Sequence, residues 1–378
     1  MSAAAESIRA GRRELRRYSR HLLIPEVGLA GQEKLARARV LVVGAGGLGV
    51  PVVQYLAAAG VGRLGIVDDD TVDLTNLQRQ VIYATSDIGR RKVDVVTERV
   101  AALNPLVAVD AIPRRFDASN ARALVALYDV VVDATDTFGA RYLINDACRF
   151  EKKPDVYGSI FRFDGQVSVF APEGPCYRCL FPEPPPEGSV PSCAEGGVLG
   201  VLAGLVGTWQ ANEALKLILG IGTPLVGRLL LLDALSARTR EIAIDIDPHC
   251  ALHGAARTIE DVVEMVPPAR GPARVPELAS SALDAFLEAH PGAVVLDVRE
   301  PHERVLGAPE KSLAIPASVL EARLHELDSS LTYVVACRVG ARSLWAAGRL
   351  HDAGLRHVFH LSDGLVAYAA SADDFEAF

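Results

Sequence analysis

Cysteine is scarce in this chain: six among 378 residues, at positions 148, 176, 179, 193, 250 and 337. So few thiols cannot form the framework of a disulfide-stapled secreted scaffold, and residues 1–20 are polar and Arg-rich, unlike a secretory signal. The expected setting is the reducing cytoplasm, where cysteines serve as metal ligands or reactive thiols. Surplus positive charge is missing too. A net charge of −8 argues against nucleic acid as a partner, so any polyanion must be met by a local cluster of Arg and Lys. Nor is there a long charge-free apolar run. The most apolar stretch, 196–222, carries Glu213, Lys216 and several glycines, and reads as a buried helix with no membrane involved. No internal repeat is found. What is there, 50% hydrophobic residues with ordinary Gly and Pro, is a globular chain long enough for two or three domains.

Residues 1–262 alternate strand and helix patterns. An apolar run at 39–43 ends in Gly44-Ala45-Gly46-Gly47-Leu48-Gly49, and a helical pattern over 52–59 leads to a buried strand at 64–67 closed by Asp68-Asp69-Asp70. Strand, Gly-rich turn, helix and strand open a doubly wound, mostly parallel α/β sheet of the Rossmann type. Helices are expected over 92–103 and 120–127, strands near 107–112 and 130–134, antiparallel strands within 159–171, and a terminal hairpin from 227–233 and 240–246. Residues 263–276 hold a run dense in Pro and Gly and read as an interdomain linker. From 277 to 378 a small α/β domain follows, with strands at 294–298 and 333–336.

A G-x-G-x-x-G turn is weak evidence alone, because its glycines suit a dinucleotide, a mononucleotide or a plain tight turn. Here Gly44, Gly46, Gly47 and Gly49 follow a strand and open a helix, the setting for phosphate at a helix N-terminus. Asp68, ending the second strand, can accept both ribose hydroxyls. A nicotinamide enzyme would look the same to this point. Arg79, within Thr75-Asn76-Leu77-Gln78-Arg79-Gln80, and Lys92, heading a helix, then bring two cations toward the turn. They suit a triphosphate better than a pyrophosphate met by backbone N–H groups. Asp136 lies where a magnesium ion bridging phosphates would need a carboxylate. ATP with Mg2+ is the expected nucleotide.

Cys176-Tyr177-Arg178-Cys179 and Cys250-Ala251-Leu252-His253 are pairs at knuckle spacing, and tetrahedral zinc commonly joins two such pairs. Unrelated thiols or a redox C-x-x-C are the alternatives. Ligation by Cys176, Cys179, Cys250 and His253 would make the zinc closed and structural. Cys337 ends a strand and opens Cys337-Arg338-Val339-Gly340-Ala341-Arg342-Ser343 before a helix at 344–350. Backbone N–H groups, Arg338 and Arg342 all favour a thiolate there. Cys193 follows the Pro-rich segment 181–188 and is either a reactive loop thiol or a small loop residue. Cys148 lies in a helical stretch and reads as packing.

Residues 14–254 resemble the MoeB/ThiF family of ubiquitin-activating-type adenylyltransferases. The resemblance rests on Arg17-Tyr18-Ser19-Arg20-His21, the Gly-rich turn, residues 75–80, Lys92, Gly158-Ser159-Ile160, residues 165–170 and residues 191–197. The Cys337 loop, with Leu296-Asp297-Val298-Arg299-Glu300-Pro301, resembles the rhodanese domain, where this Cys carries a persulfide; a Cys-based phosphatase loop has one more residue between Cys and Arg. The whole chain is similar to MoeZ-type fusions of the two. The resemblance implies a homodimer in which Arg20 reaches the ATP of the neighbouring subunit, with Arg79, Lys92 and Asp136 acting on its phosphates. It implies ATP-dependent adenylation of the C-terminal glycine of a ubiquitin-like sulfur carrier, then sulfur transfer from a Cys337 persulfide supplied by thiosulfate or a cysteine desulfurase. Cys193 would lie on a crossover loop near the carrier tail, as a thioester or a resolving thiol. Carriers of the molybdopterin, thiamine, cysteine and thiolated-tRNA routes all fit. Two positions depart from the family: Thr137 replaces an Asn, and His253 replaces a fourth Cys. An NAD-dependent dehydrogenase with a rhodanese tail would leave Arg79, Lys92 and Asp136 without a role. A non-catalytic carrier-binding scaffold would lack ATP–pyrophosphate exchange.

Overall fold

The computed structural model describes residues 14–185, 196–255, 257–265, 275–309 and 312–371. The chain divides into two compact units, the first comprising the residues up to Pro184 and Gly197–Met265 and the second Pro185–Gly196 with the residues from Val266 on. The first is built on an eight-stranded sheet. Strands β1 (Arg39–Val43), β2 (Arg63–Val67), β3 (Ala108–Ile112), β4 (Val130–Asp133) and β5 (Asp155–Phe161) lie parallel in the order β3-β2-β1-β4-β5. Strands β6 (Asp164–Phe170), β7 (Arg228–Asp233) and β8 (Arg238–Ala243) extend it antiparallel. Helices cover both faces, which is why the central strands read as unbroken Val, Leu and Ile. Along β1 the two-residue period deals side chains to two cores. Val40 and Val42 pack with the helices Gly49–Ala59, Lys92–Leu103 and Gly200–Leu219, while Leu41 and Val43 pack with Ala121–Ala126 and Phe138–Phe150.

The apolar stretch at 196–222 forms the helix Gly200–Leu219. Its buried Glu213 is met by Lys216 at 2.5 Å and by the Leu225 N–H at 2.9 Å, so a charge inside the helix is satisfied internally. Among the described residues no helix is long and apolar enough to cross a membrane. This helix meets Gly49–Ala59 closely at Gly207, where a Cβ would fall 2.4 Å from Pro51 Cγ and 2.5 Å from the Leu48 carbonyl oxygen. Three residues on, Gln210 donates to the carbonyls of Asp133 (2.6 Å) and Val156 (3.0 Å), which fixes the helix to β4 and β5. Glu264 and Met265, expected to begin the linker, hold to the first unit. The Glu264 carboxylate accepts the Ala118 N–H at 3.0 Å, and Met265 Sδ lies 3.3 Å from Arg178.

The second unit is a five-stranded, all-parallel sheet in the order β11-β10-β12-β13-β9, from β9 (Glu277–Leu278), β10 (Val294–Asp297), β11 (Leu313–Ala314), β12 (Tyr333–Ala336) and β13 (Val358–Leu361). The helix after β12 spans Ala341–Asp352, starting three residues earlier than the apolar pattern at 344–350 indicates. The earlier start brings Ala341 and Arg342 out of the loop and into the first helical turn.

Gly207→Ala should destabilise the first unit by about 1–3 kcal/mol, because neither a proline ring nor backbone can yield to the added methyl. Gly204→Ala on the same helix, with nothing within 4 Å of the new Cβ, should be neutral or stabilising by up to about 1 kcal/mol. Urea midpoints of the two variants measure the difference, and equal midpoints would refute the tight contact.

Candidate functional site

The glycine turn leaves β1 at Gly44, whose φ is 100° and whose Cβ would fall 2.8 Å from the Ala134 carbonyl oxygen. A Cβ at Gly49 would lie 1.9 Å from the Gly44 carbonyl oxygen. The turn itself demands these two glycines. Gly46 and Gly47 serve differently. Among the described residues, a Cβ at Gly46 would meet only the Gln80 amide, at 3.7 Å, while one at Gly47 would meet the Arg79 side chain at 3.5 Å and Ala203 at 3.2 Å. Gly46 thus presents bare backbone that a phosphate can approach.

Asp68 braces this turn. One carboxylate oxygen accepts the Ala45 N–H at 2.7 Å and the other accepts the Asp70 N–H at 2.9 Å. Burial pushes the Asp68 carboxyl above the usual carboxylate range, against the opposing pull of Lys92 and the two N–H groups. Asp68 therefore has a structural part beyond the ribose contact expected of it, and each oxygen keeps a further lone pair. Lys92, buried at the head of Lys92–Leu103, donates to Asp70 at 2.7 Å. Arg79 donates to the Thr75 carbonyl at 2.9 Å. Asp73 folds the loop by accepting from the Thr75 N–H at 2.8 Å and hydroxyl at 2.5 Å, and Asn76 accepts the Asp73 N–H at 3.3 Å. Leu77 packs on the core, and a Cβ at Gly200 would lie 2.1 Å from the Gln78 carbonyl oxygen.

Asp136 follows β4, is exposed and makes no hydrogen bond among the described residues. Its neighbour Thr137 accepts the Ala140 N–H at 3.4 Å and caps Phe138–Phe150, so the replacement of Asn preserves the helix start. Arg20 lies elsewhere. It is exposed on the short helix Ser19–Leu22, whose surroundings hold the C-terminal end of Gly49–Ala59. His21 bonds Gln32 at 3.1 Å, and Gln32 donates to the Ala59 carbonyl at 2.9 Å. The helix Gly49–Ala59 has 11 residues, so Arg20 and the glycine turn flank opposite ends of a rod about 16 Å long.

Two residues of the crevice have no role in the sequence reading. Gln80 is buried with its carbonyl oxygen unpartnered among the described residues, and the Tyr83 hydroxyl donates to the Ala45 carbonyl at 2.8 Å. Adjacency to Arg79 was the available signal for Gln80; Tyr83 carried none.

The two knuckle pairs, separated by 74 residues, come together. Cys176 Sγ lies 3.9 Å from Cys179 Sγ and 3.7 Å from Cys250 Sγ, and Cys179 Sγ lies 3.3 Å from His253 Nε2. A tetrahedral ion with metal–sulfur bonds of about 2.3 Å and metal–nitrogen bonds of about 2.0 Å spaces its sulfurs about 3.8 Å apart and sulfur from nitrogen about 3.5 Å. The set fits such an ion. Arg178, between the cysteines of the knuckle, donates to the buried Asp146 at 2.8 and 2.7 Å and so ties it to Phe138–Phe150. Cys148 on that helix is fully packed, and burial pushes its thiol well above the ordinary value. Cys193 lies outside the described residues.

In the second unit Cys337 is buried at the end of β12 and its Sγ accepts the Gly340 N–H at 3.2 Å. Gly340 has φ 96°, and a Cβ there would fall 1.9 Å from the Ser362 carbonyl oxygen. The Ser343 hydroxyl donates to the Gly340 carbonyl at 2.7 Å and closes the loop. Arg338 is half-buried, Val339 exposed, and Ala341 begins the helix. Of the two arginines expected to bear on the thiol, Arg342 has its guanidinium held by Glu303 at 2.7 and 2.6 Å. Glu303 lies 39 residues away in the chain, and no motif in the sequence reading marked it.

Residues 18–252 match the ThiF family, and residues 281–371 match the rhodanese-like domain. The chain is 54% identical over 257 residues to a sulfur carrier protein adenylyltransferase of Thermus thermophilus, covering 66% of this chain and 95% of that protein. It is 44% identical over 366 residues to a probable adenylyltransferase/sulfurtransferase, MoeZ, of Mycobacterium tuberculosis, covering 95% of this chain and 93% of that protein. Among solved structures, Escherichia coli MccB with MccA-N7isoASN shares the fold, with a TM-score of 0.56 at 21% identity over 63% of this chain and 74% of that one. With the glycine turn, the Cys337 loop and these matches together, the chain belongs to the ThiF family, in the form fused to a rhodanese-like domain that makes up the adenylyltransferase/sulfurtransferase enzymes.

Proposed function

We propose that this enzyme adenylates the C-terminal glycine of a ubiquitin-like sulfur-carrier protein and then exchanges one carboxylate oxygen for sulfur delivered by Cys337. The observation that carries the reading is the open backbone at Gly46, with Arg79 against the adjacent Gly47 and Lys92 paired to Asp70, in a chain that also holds the Cys337 loop. A carboxylate oxygen of the carrier attacks the α-phosphorus of ATP, and the bond to pyrophosphate breaks. The N-terminus of Gly49–Ala59 and the cations Arg79 and Lys92 stabilise the developing charge. Asp68 keeps lone pairs for the ribose. Asp136 is the carboxylate that would hold Mg2+, which when bound neutralises phosphate charge. Arg20, at the wrong end of its own helix rod, serves the nucleotide of a neighbouring subunit in a homodimer. The exposed Val201, Leu205 and Trp209, spaced along one face of Gly200–Leu219, offer apolar surface for that pairing.

Sulfur transfer follows. The terminal sulfur of a Cys337 persulfide attacks the carbonyl carbon of the acyl-adenylate, AMP leaves, and an acyl disulfide forms. The Cys193 thiolate then attacks the Cys337 sulfur, which frees the carrier thiocarboxylate and leaves a Cys193–Cys337 disulfide for a thiol reductant to reopen. Thiosulfate or a cysteine desulfurase reloads Cys337. Zinc held by Cys176, Cys179, Cys250 and His253 is structural, since four protein ligands leave no position for substrate. The free thiols suit a cytoplasmic enzyme.

Asp136→Ala should abolish carrier-dependent ATP–pyrophosphate exchange yet keep thiosulfate–cyanide sulfurtransferase activity, and Cys337→Ala should do the reverse. Loss of exchange in Cys337→Ala would overturn the two-site reading. Zinc should co-purify at about one ion per chain, and Cys176→Ser should release it and lower the stability of the first unit; a metal-free native protein with full stability would exclude the site. Cys193→Ala should still adenylate the carrier but accumulate a carrier–Cys337 adduct that dithiothreitol cleaves. Normal multiple-turnover thiocarboxylate yield from that variant without added thiol, read by carrier mass, would remove Cys193 from the mechanism.

A further inference from the structure

Within the sulfur-transfer reading just given, two chemically different donors can load Cys337: an inorganic dianion, or a persulfide on a protein thiol. The surroundings of Arg342 bear on the choice. Its guanidinium heads the helix Ala341–Asp352 and donates twice to Glu303, at 2.7 and 2.6 Å, with the two side chains only 14% and 9% exposed. Glu303 is itself seated by the Glu300 N–H at 2.8 Å. Burial opposes its charge, but the hydrogen bonds from Arg342 and Glu300 prevail and hold its carboxyl below the usual range. The carboxylate is therefore ionised at neutral pH and cancels the Arg342 charge at contact distance. Two further arginines near the end of β10 are engaged in the same way, Arg299 at 2.8 Å and Arg304 at 3.2 Å from the buried Asp297.

We propose that Glu303 is a specificity-determining residue: by clamping Arg342 it withholds a positive charge from the Cys337 loop and disfavours thiosulfate relative to a protein-bound persulfide. The chemistry is the same for both donors. The Cys337 thiolate attacks the sulfane sulfur, the donor S–S bond breaks, and Cys337 becomes a persulfide. The leaving group is sulfite from thiosulfate, or a thiolate from the protein donor, and no outside oxidant or reductant enters. The electrostatics differ. Thiosulfate brings two negative charges up to a thiolate, whereas a protein persulfide brings one, so only the inorganic donor depends strongly on spare positive charge at the loop.

The test uses the full-length protein with thiosulfate and cyanide, reading thiocyanate, beside loading of Cys337 by a cysteine desulfurase with cysteine, read by mass. Glu303→Gln keeps an acceptor for Arg342 and removes the charge. Its KM for thiosulfate should fall about five- to tenfold with kcat held within about twofold, and the gain should shrink as salt is raised. Loading by the desulfurase should change little. In an Arg342→Gln background the same substitution should leave the thiosulfate KM unmoved. An unchanged or higher KM in Glu303→Gln, with desulfurase loading intact, would overturn the proposal and leave the sulfur-transfer reading standing. A fall in kcat with both donors would mark Glu303 as a brace for the loop and overturn it equally. Failure of the unmodified protein to load Cys337 from either donor would remove the sulfur-transfer reading and the proposal together.

Discussion

The crevice at the glycine turn depends on the close approach of two helices at Gly207. Helix Gly200–Leu219 lies far along the chain from the glycine turn, yet it touches the turn, the 74–80 loop and the end of β4. Its Ala203 lies against Gly47, and its Gly207 admits Pro51 and the Leu48 carbonyl. At its N-terminus, Gly200 makes room for Gln78, and Gln210 reaches the last residue of β4. Helix N-termini hold anions only if their N–H groups are fixed in place, because a mobile turn would reorganise at each binding event. A single apolar helix thus sets the glycine turn, the 74–80 loop and the start of the Asp136 segment relative to one another.

Charge is handled alike in both units. Lys92 is paired with Asp70, Arg178 with Asp146, and Arg342 with Glu303. A cation taken out of water needs a partner, since the desolvation cost of a lone ion is several kcal/mol or about that order. The partners differ in exposure, and that difference separates function from structure. Asp70 is 66% exposed, so its contact with Lys92 stays open to solvent, whereas Asp146 is fully buried and its pair with Arg178 ties the knuckle to the helix Phe138–Phe150. Glu303, at 9%, lies nearer the second case. Buried Asp133 shows the limit of the rule: burial drives its carboxyl upward, and the nearby Arg141 offsets this only in part.

The fold was legible where local chemistry dominates. The apolar runs at 39–43 and 64–67 became β1 and β2 because a strand buried on both faces needs no alternation. Lys92–Leu103 was bounded correctly by its sequence pattern. The antiparallel extension β6 to β8 is in line with the alternation within 159–171 and the hairpin expected from 227–233 and 240–246. The sequence pattern starts two helices late, at 52 for Gly49 and at 344 for Ala341, because Gly49 belongs to the glycine turn and Pro51 reads as a helix breaker, while Ala341, Arg342 and Ser343 carry no apolar period.

By itself the sequence determined the residue types of both sites: glycines where a side chain cannot fit, cations near a phosphate turn, two knuckle pairs, and a cysteine at a strand end. Those follow from chemistry confined to a few neighbouring positions. Only the tertiary structure decided what each group is paired with. The Arg342–Glu303 clamp, the Asp68 bond to the glycine turn, the Gln80 oxygen left without a partner among the described residues and the position of Arg20 all depend on elements tens of residues apart. Pairing is set by packing distance, which sequence spacing does not encode; a charged side chain reveals its sign in the sequence, but its partner only in the fold.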